Sequence, residues 1–149
     1  MKKIIFAIAV LAYLAVAVTK SEAQVVSKNL YTTLTSTVDS IRCISTTPNF
    51  LYVRDMTQAW HTGAFQVTIT RVSAAIGGTI TAQGSVDGTN WFNASFNTGD
   101  TITVADAASQ VKVITVKAKD GYPFRYYRLN FVGASSDTMT VRAKFVGRK

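Results

Sequence analysis

Few residues of this chain carry the chemistry that catalysis needs. Its 149 residues include one His (His61) and one Cys (Cys43), too few for a zinc site, which takes three or four His, Cys or carboxylate ligands. His61 and Asp55 could serve a Ser-His-Asp arrangement, but no G-x-S-x-G motif presents the serine. The aspartates mostly adjoin glycine or lie in turns, where carboxylates accept backbone hydrogen bonds, and form no evident pair for glycoside cleavage. These residue types predict a non-enzymatic protein without a catalytic cofactor.

A structural calcium ion is a separate question. Asp87, Asn90 and Asp100 are hard oxygen donors in predicted loops, and calcium takes six to eight such ligands. Their spacing matches no defined calcium loop. The sequence therefore leaves a metal site open.

Aromatic side chains beside predicted turns are the better indication of function. They cannot all point inward if polar and apolar residues alternate along their strands, and exposed rings can stack on sugars or dock a partner protein. We expect Trp91 in the core, because it directly follows a predicted hairpin turn, and Trp60 and Tyr122 at the surface. The candidate ligand-binding residues are Trp60, Trp91, Tyr122, Arg125, Tyr126 and Arg128.

The last two predicted strands also carry outward-facing cations. Tyr126 and Arg128 on one strand, and Arg142 and Lys144 on the next, share the solvent-facing parity, and Arg148 and Lys149 close the chain. If the two strands pair, these residues form one cationic, partly aromatic face that attracts polyanions. The alternative is a solvated sheet face whose charges keep it soluble.

The elements that position these residues are predicted strands. Apolar and polar residues alternate with period two along several segments, which is typical of strands with one buried face. The predicted inward sets are Phe65, Val67 and Ile69; Val111 and Val113; Tyr127, Leu129 and Phe131; and Met139, Val141, Ala143 and Phe145. Gly, Asn and Asp between the segments predict turns, including a hairpin turn at Asp87-Gly88. The pattern predicts an all-β, antiparallel sandwich or barrel.

The N-terminus predicts export. Two lysines precede an apolar run from Ile4 to Val18, and the small residues Ser21 and Ala23 follow, which predicts a hydrophobic signal helix cleaved between Ala23 and Gln24. The alternative is an uncleaved anchor. Removing residues 1–23 leaves 126 residues with 13 Lys and Arg against 7 Asp, a basic domain without a further membrane-spanning segment. Residues 24–47 are an N-terminal arm or a first strand, and residues 48–149 form the sandwich domain.

Two segments resemble small jelly-roll-like sandwiches. Residues 84–92 carry the pattern G-S-x-D-G-x-x-W, and residues 122–129 follow as a later strand. This is similar to discoidin-like carbohydrate-binding domains and to phage structural proteins of tails and capsid decoration. The resemblance implies a single β-sandwich whose Asp-Gly turn closes a hairpin and whose Trp91 caps the core; discoidin-like folds often hold a structural ion.

Two functions follow as expectations. The first is a secreted, periplasmic or cell-surface recognition module that binds a glycan, lipopolysaccharide or protein partner, since export makes nucleic acid a less natural partner. The second is a structural subunit of a surface appendage or virion, a homo-oligomer whose arm and Thr-rich sheet pack against other copies. With a single cysteine in the chain, a disulfide could only join Cys43 to another chain, and a buried, reduced thiol is the simpler expectation.

Overall fold

The computed structural model describes residues 25–43, 46–54, 60, 62–73, 75–94, 101–117, 124–134 and 138–148. Within these ranges the chain is all-β, and no described residue belongs to a helix long and apolar enough to cross a membrane. The predicted signal helix, its cleavage site at Ala23 and Gln24, and Lys149 lie outside the described residues. The described strands are β1 (Val25–Tyr31), β2 (Ser40–Cys43), β3 (Asn49–Val53), β4 (Thr62–Ser73), β5 (Gly78–Ser85), β6 (Phe92–Asn93), β7 (Thr101–Thr103), β8 (Ser109–Lys117), β9 (Tyr126–Gly133) and β10 (Thr138–Arg148).

The strands pair antiparallel in two sheets that share β1. Sheet A has the order β8-β4-β10, and both β1 and β2 pair with β10. Sheet B has the order β1-β3-β9-β5, and both β6 and β7 pair with β5. Residues 25–29 pair with β10, whereas Leu30 and Tyr31 pair with β3. β1 therefore crosses from one sheet to the other and links them along one edge.

The core lies between the two sheets. The Tyr127 ring on β9 of sheet B stacks on Phe145 of β10 at 5.2 Å between centroids, and it meets Phe65 of β4 edge-on at 6.4 Å. The predicted inward sets of β4, β9 and β10 are confirmed, because their apolar members are buried. Two layers with a shared aromatic core make the domain a β-sandwich.

The expected orientation of β8 is wrong. Val111 and Val113 are 56% and 62% exposed, and the buried residues of this strand are Ile114 and Val116. The register explains the reversal, because Ile114 lies opposite Phe65 of β4, which points into the core. Val111 and Val113 therefore lie on the outer face of sheet A.

Cys43 ends β2 with its thiol in the core. The side chain is fully buried, and burial raises the pKa of the thiol to about 11. A buried neutral thiol is a poor nucleophile, so this cysteine packs as a small apolar residue.

Candidate functional site

The outer face of sheet B carries a cluster of rings around one arginine. On β3, Phe50 and Tyr52 alternate with the buried Leu51 and Val53, so both rings point away from the core. The register places Tyr52 opposite Arg128 of β9, which in turn lies opposite Gln83 of β5. We call Phe50, Tyr52, Gln83, Trp91 and Arg128 the aromatic face.

Arg128 holds this face together. The carbon at the centre of its guanidinium lies 4.0 Å from the centroid of Phe50 and 4.2 Å from that of Trp91, which is cation-π distance for both rings. Its Nε donates a hydrogen bond of 2.7 Å to Oε1 of Gln83, and its Nη1 donates a longer one of 3.4 Å to the Tyr52 hydroxyl. The half-buried Arg128 therefore holds the rings of Phe50 and Trp91 in place, and both rings remain partly exposed.

Trp91 reaches this face through the turn between β5 and β6. The Asp87 carboxylate accepts hydrogen bonds of 2.8 Å from the backbone amides of Thr89 and Asn90, one of 2.7 Å from the Asn90 side chain and one of 2.9 Å from the Ser85 hydroxyl. These bonds, led by the two from the backbone, hold the pKa of Asp87 well below its usual range. Gly88 adopts a φ of +79°, the left-handed conformation expected for an Asp-Gly turn. The turn thus sets Trp91 edge-on to Tyr52, with 5.7 Å between centroids.

An open groove adjoins the aromatic face. Its volume is about 560 Å³, and Phe50 and Tyr52 form part of its wall. The loop between β1 and β2 forms another part and is folded by its own bonds: Thr32 N donates to Val38 O at 3.0 Å, and Ser36 N donates to the Thr33 hydroxyl at 2.9 Å. The remaining lining residues are Leu34, Thr35, Ile41, Pro48, Asn49 and Gly88. An extended ligand could follow the groove onto the rings.

The structure brings some of the predicted site residues together. Trp91 and Arg128 are in contact, whereas Arg125 and Tyr126 form a separate pair beside them, with the Arg125 guanidinium 5.6 Å from the Tyr126 ring. Tyr122 lies outside the described residues.

Trp60 corrects the sequence expectation of exposure. Its side chain is only 6% exposed and meets Phe145 edge-on at 6.4 Å. Gly147 makes room for it, because a Cβ at that position would lie 2.7 Å from the indole ring. The buried ring offers no surface for stacking on a sugar.

Trp91 is more exposed than the sequence predicted. The sequence placed this ring in the core, but it is half-buried on the outer face of sheet B. There it contacts Tyr52 and Arg128, whose side chains both point outward from their strands. The hairpin therefore supplies a ring to the surface.

The last two strands do not pair, so the single cationic face that their pairing would create does not form. β9 belongs to sheet B and β10 to sheet A, so Tyr126 and Arg128 point from one face of the sandwich while Arg142 and Lys144 point from the other. Arg148 lies at the end of β10. The basic residues are therefore divided between two surfaces.

Sequence reasoning missed Phe50, Tyr52 and Gln83. The segment Asn49–Val53 is apolar at four consecutive positions, so its outward rings carry no polar alternation to mark them. The feature of the sequence that distinguishes the two faces of this strand is residue type: the outward residues Phe50 and Tyr52 are aromatic, and the inward residues Leu51 and Val53 are aliphatic.

Asp87, one of the oxygen donors considered for calcium, is engaged within its own turn. The Asp87 carboxylate already accepts bonds from four donors of its own turn, and Asp100 lies outside the described residues. No group of three or more His, Cys, Asp or Glu residues occurs in the part of the chain that the structure describes.

Comparison with known proteins places the chain by fold alone. No family model and no curated protein matches it. The family 29 carbohydrate-binding module CBM29_1 from Piromyces equi is similar with a TM-score of 0.50 and 11% identity, over 86% of this chain and 92% of that one. The non-crystalline cellulose-specific module CBM28 gives 0.47 and 15%, over 72% and 69%, and a protein of the disulfide-linked pili of Bacillus endospore appendages gives 0.47 and 13%, over 88% and 93%. The fold is that of β-sandwich modules, in agreement with the jelly-roll-like resemblance.

Proposed function

We propose that this chain is an exported, non-catalytic module that binds a carbohydrate chain on the aromatic face. The observation that carries the proposal is the guanidinium of Arg128 held between the rings of Phe50 and Trp91, beside an open groove. The fold shared with a carbohydrate-binding module supports this class of ligand.

The geometry suits a sugar for two reasons. A pyranose ring has an apolar C–H surface, which an aromatic ring held in place can cover at little entropic cost. Its hydroxyls need hydrogen-bonding partners, and the side chains of Gln83, Tyr52 and Arg128 supply donors and acceptors next to the rings. Because Arg128 is already bonded in the free protein, the face is organised before the ligand arrives.

Substitution of Trp91 tests the proposal. Trp91→Ala removes a ring from the aromatic face, and we expect at least a 10-fold loss of affinity, or about 1.4 kcal/mol, for the polysaccharides that the protein binds. The measurement is isothermal titration with a panel of soluble neutral polysaccharides, such as xylan, mannan and hydroxyethyl cellulose.

Phe92→Ala is the matched control. Phe92 is the next residue, is 51% exposed and lies on β6 opposite Gly84, on the other parity from the aromatic face. We expect the affinity of Phe92→Ala for the same polysaccharides to stay within two-fold of that of the unaltered protein. Equal losses in the two variants, or no binding to any of the polysaccharides, would contradict the proposal.

A second candidate is a self-assembling structural subunit of a surface appendage or virion. The observation in its favour is the exposure of Val111 and Val113 on β8, the terminal strand of sheet A among the described residues. Exposed strand edges with aliphatic side chains pair readily with another chain. Light scattering after size-exclusion chromatography, with and without reductant, separates the two: a monomer favours the recognition module, and a discrete ring or a filament favours the subunit.

A further inference from the structure

The outer face of sheet A contains a polar depression at the point where β1 leaves the sheet. Asn29 of β1 lies opposite Lys144 of β10, and Ser40 of β2 lies opposite Arg142 two residues away on the same edge. The depression between the two strands has a volume of about 510 Å³. Its lining residues are Asn29, Asp39, Gln66, Thr68, Arg142, Ala143 and Lys144.

Its charge is predominantly positive. Arg142 and Lys144 are exposed on its rim, and exposed Arg42 lies on the neighbouring strand opposite Thr140. Asp39 is the one carboxylate among its described lining residues, 4.0 Å from Nε of Arg142, and the side chains of Asp39 and Arg142 are 48% and 67% exposed. Such an exposed pair at the limit of contact contributes little, so the cations remain available to an anion.

Neutral hydrogen-bonding groups complete the lining. The side chains of Asn29, Gln66 and Thr68 lie beside the cations and can bond to a sulfate, a carboxylate or a hydroxyl. The outward residues that the structure describes on β2, β4, β8 and β10 include no aromatic ring. Tyr31, at the end of β1, pairs with β3 of sheet B and its ring lies 4.8 Å from the Arg54 guanidinium, so the described lining of the depression contains no ring on which a nucleic-acid base could stack. Cations and neutral donors without rings match a chain of charged sugars.

We infer that this depression is a second binding site, which takes the sulfate or carboxylate groups of a polyanionic polysaccharide. It lies on the opposite face of the sandwich from the aromatic face and does not depend on the function proposed for that face. Arg142 and Lys144 provide the attraction, and Asp39 opposes it.

Heparin, which carries sulfates, and alginate, which carries carboxylates, test the inference. In a titration repeated at several salt concentrations, Arg142→Gln combined with Lys144→Gln should lower affinity at least 10-fold for whichever of the two binds. The slope of log Kd against log salt should fall by about two, since each lost ionic contact lowers it by about one. Asp39→Asn should raise affinity about three-fold, because it removes the opposing charge.

The control variant removes the same charge elsewhere. Lys112→Gln combined with Arg125→Gln takes one cation from β8 and one from the segment before β9, and we expect less than a three-fold change. Equal losses in site and control variants, no effect of Asp39→Asn, or no binding of either heparin or alginate would overturn the inference. Duplex DNA bound as tightly as heparin, with the same dependence on Arg142 and Lys144, would overturn the assignment to a polysaccharide.

Discussion

Tyr127 joins the two sheets through both its ring and its hydroxyl. The ring stacks on Phe145, and the hydroxyl donates a hydrogen bond of 3.0 Å to the backbone carbonyl of Trp60. Tyr127→Phe keeps the ring and removes the bond, so we expect a loss of about 1–2 kcal/mol in the free energy of unfolding, measured with urea. Tyr126→Phe removes a hydroxyl from the outer face instead, and a similar loss there would contradict this role of Tyr127.

The same hydroxyl gives a test with pH. Burial raises the pKa of Tyr127 to about 12, above the value near 10 of an unfolded tyrosine. A raised pKa means that its stabilising contribution is complete below about pH 10 and is lost as the pH rises towards 12. The difference in unfolding free energy between the unaltered protein and Tyr127→Phe should therefore shrink above pH 10. A constant difference between pH 9 and pH 11 would contradict the burial of the phenol.

At the scale of one strand, β8 offers a matched pair of substitutions. Val116 is 1% exposed and Val113 is 62% exposed, and threonine has nearly the same shape as valine. Val116→Thr buries a hydroxyl in the core and should cost about 1–3 kcal/mol, whereas Val113→Thr should stay within about 0.5 kcal/mol. Urea unfolding measures both. A larger loss of unfolding free energy in Val113→Thr than in Val116→Thr would support the orientation that the sequence predicted.

The misjudged β8 shows what alternation can and cannot predict. On β4, β9 and β10 one parity is clearly apolar, and the sequence predicts their buried faces correctly. On β8 each parity contains two aliphatic residues, because Ile114 and Val116 balance Val111 and Val113. Only the register with β4 decides between them, and that register depends on tertiary packing that a single sequence does not contain.

The turn between β5 and β6 depends on the backbone conformation of Gly88. Gly88 has a φ of +79°, and a Cβ added there would lie 3.6 Å from the Tyr126 ring, an ordinary contact. Strain on substitution therefore comes from the backbone alone. Gly88→Val should cost about 1–3 kcal/mol in unfolding free energy, and Gly88→Asn should cost less because asparagine tolerates this conformation. Equal costs in urea unfolding for the two variants would mean that backbone conformation is not the cause.

At the scale of the molecule, the sequence predicts the β-sandwich but not which strands share a sheet. Consecutive strands are neighbours about two-thirds of the time, so adjacency in sequence does not decide whether β9 pairs with β10. Here the two strands lie in opposite sheets, because Tyr127 of one stacks on Phe145 of the other across the core. Arg128 and Arg142 consequently point to opposite sides, and the contacts of Arg128 with Phe50 could not be predicted from positions so far apart in the chain.

This separation predicts two independent ligand sites. Sheets of a sandwich pack about 10 Å apart, and sites at that distance with no shared partner usually contribute additively within about 0.5 kcal/mol. Trp91→Ala should weaken binding of the neutral polysaccharide and leave heparin unaffected, and Arg142→Gln with Lys144→Gln should do the reverse. A variant that combines all three substitutions should be titrated with each ligand separately. Its loss of affinity for each ligand should match, to within about two-fold, the loss in the variant that changes only that ligand's site. If Trp91→Ala alone weakened heparin binding as much as the double variant, the two sites would not be independent.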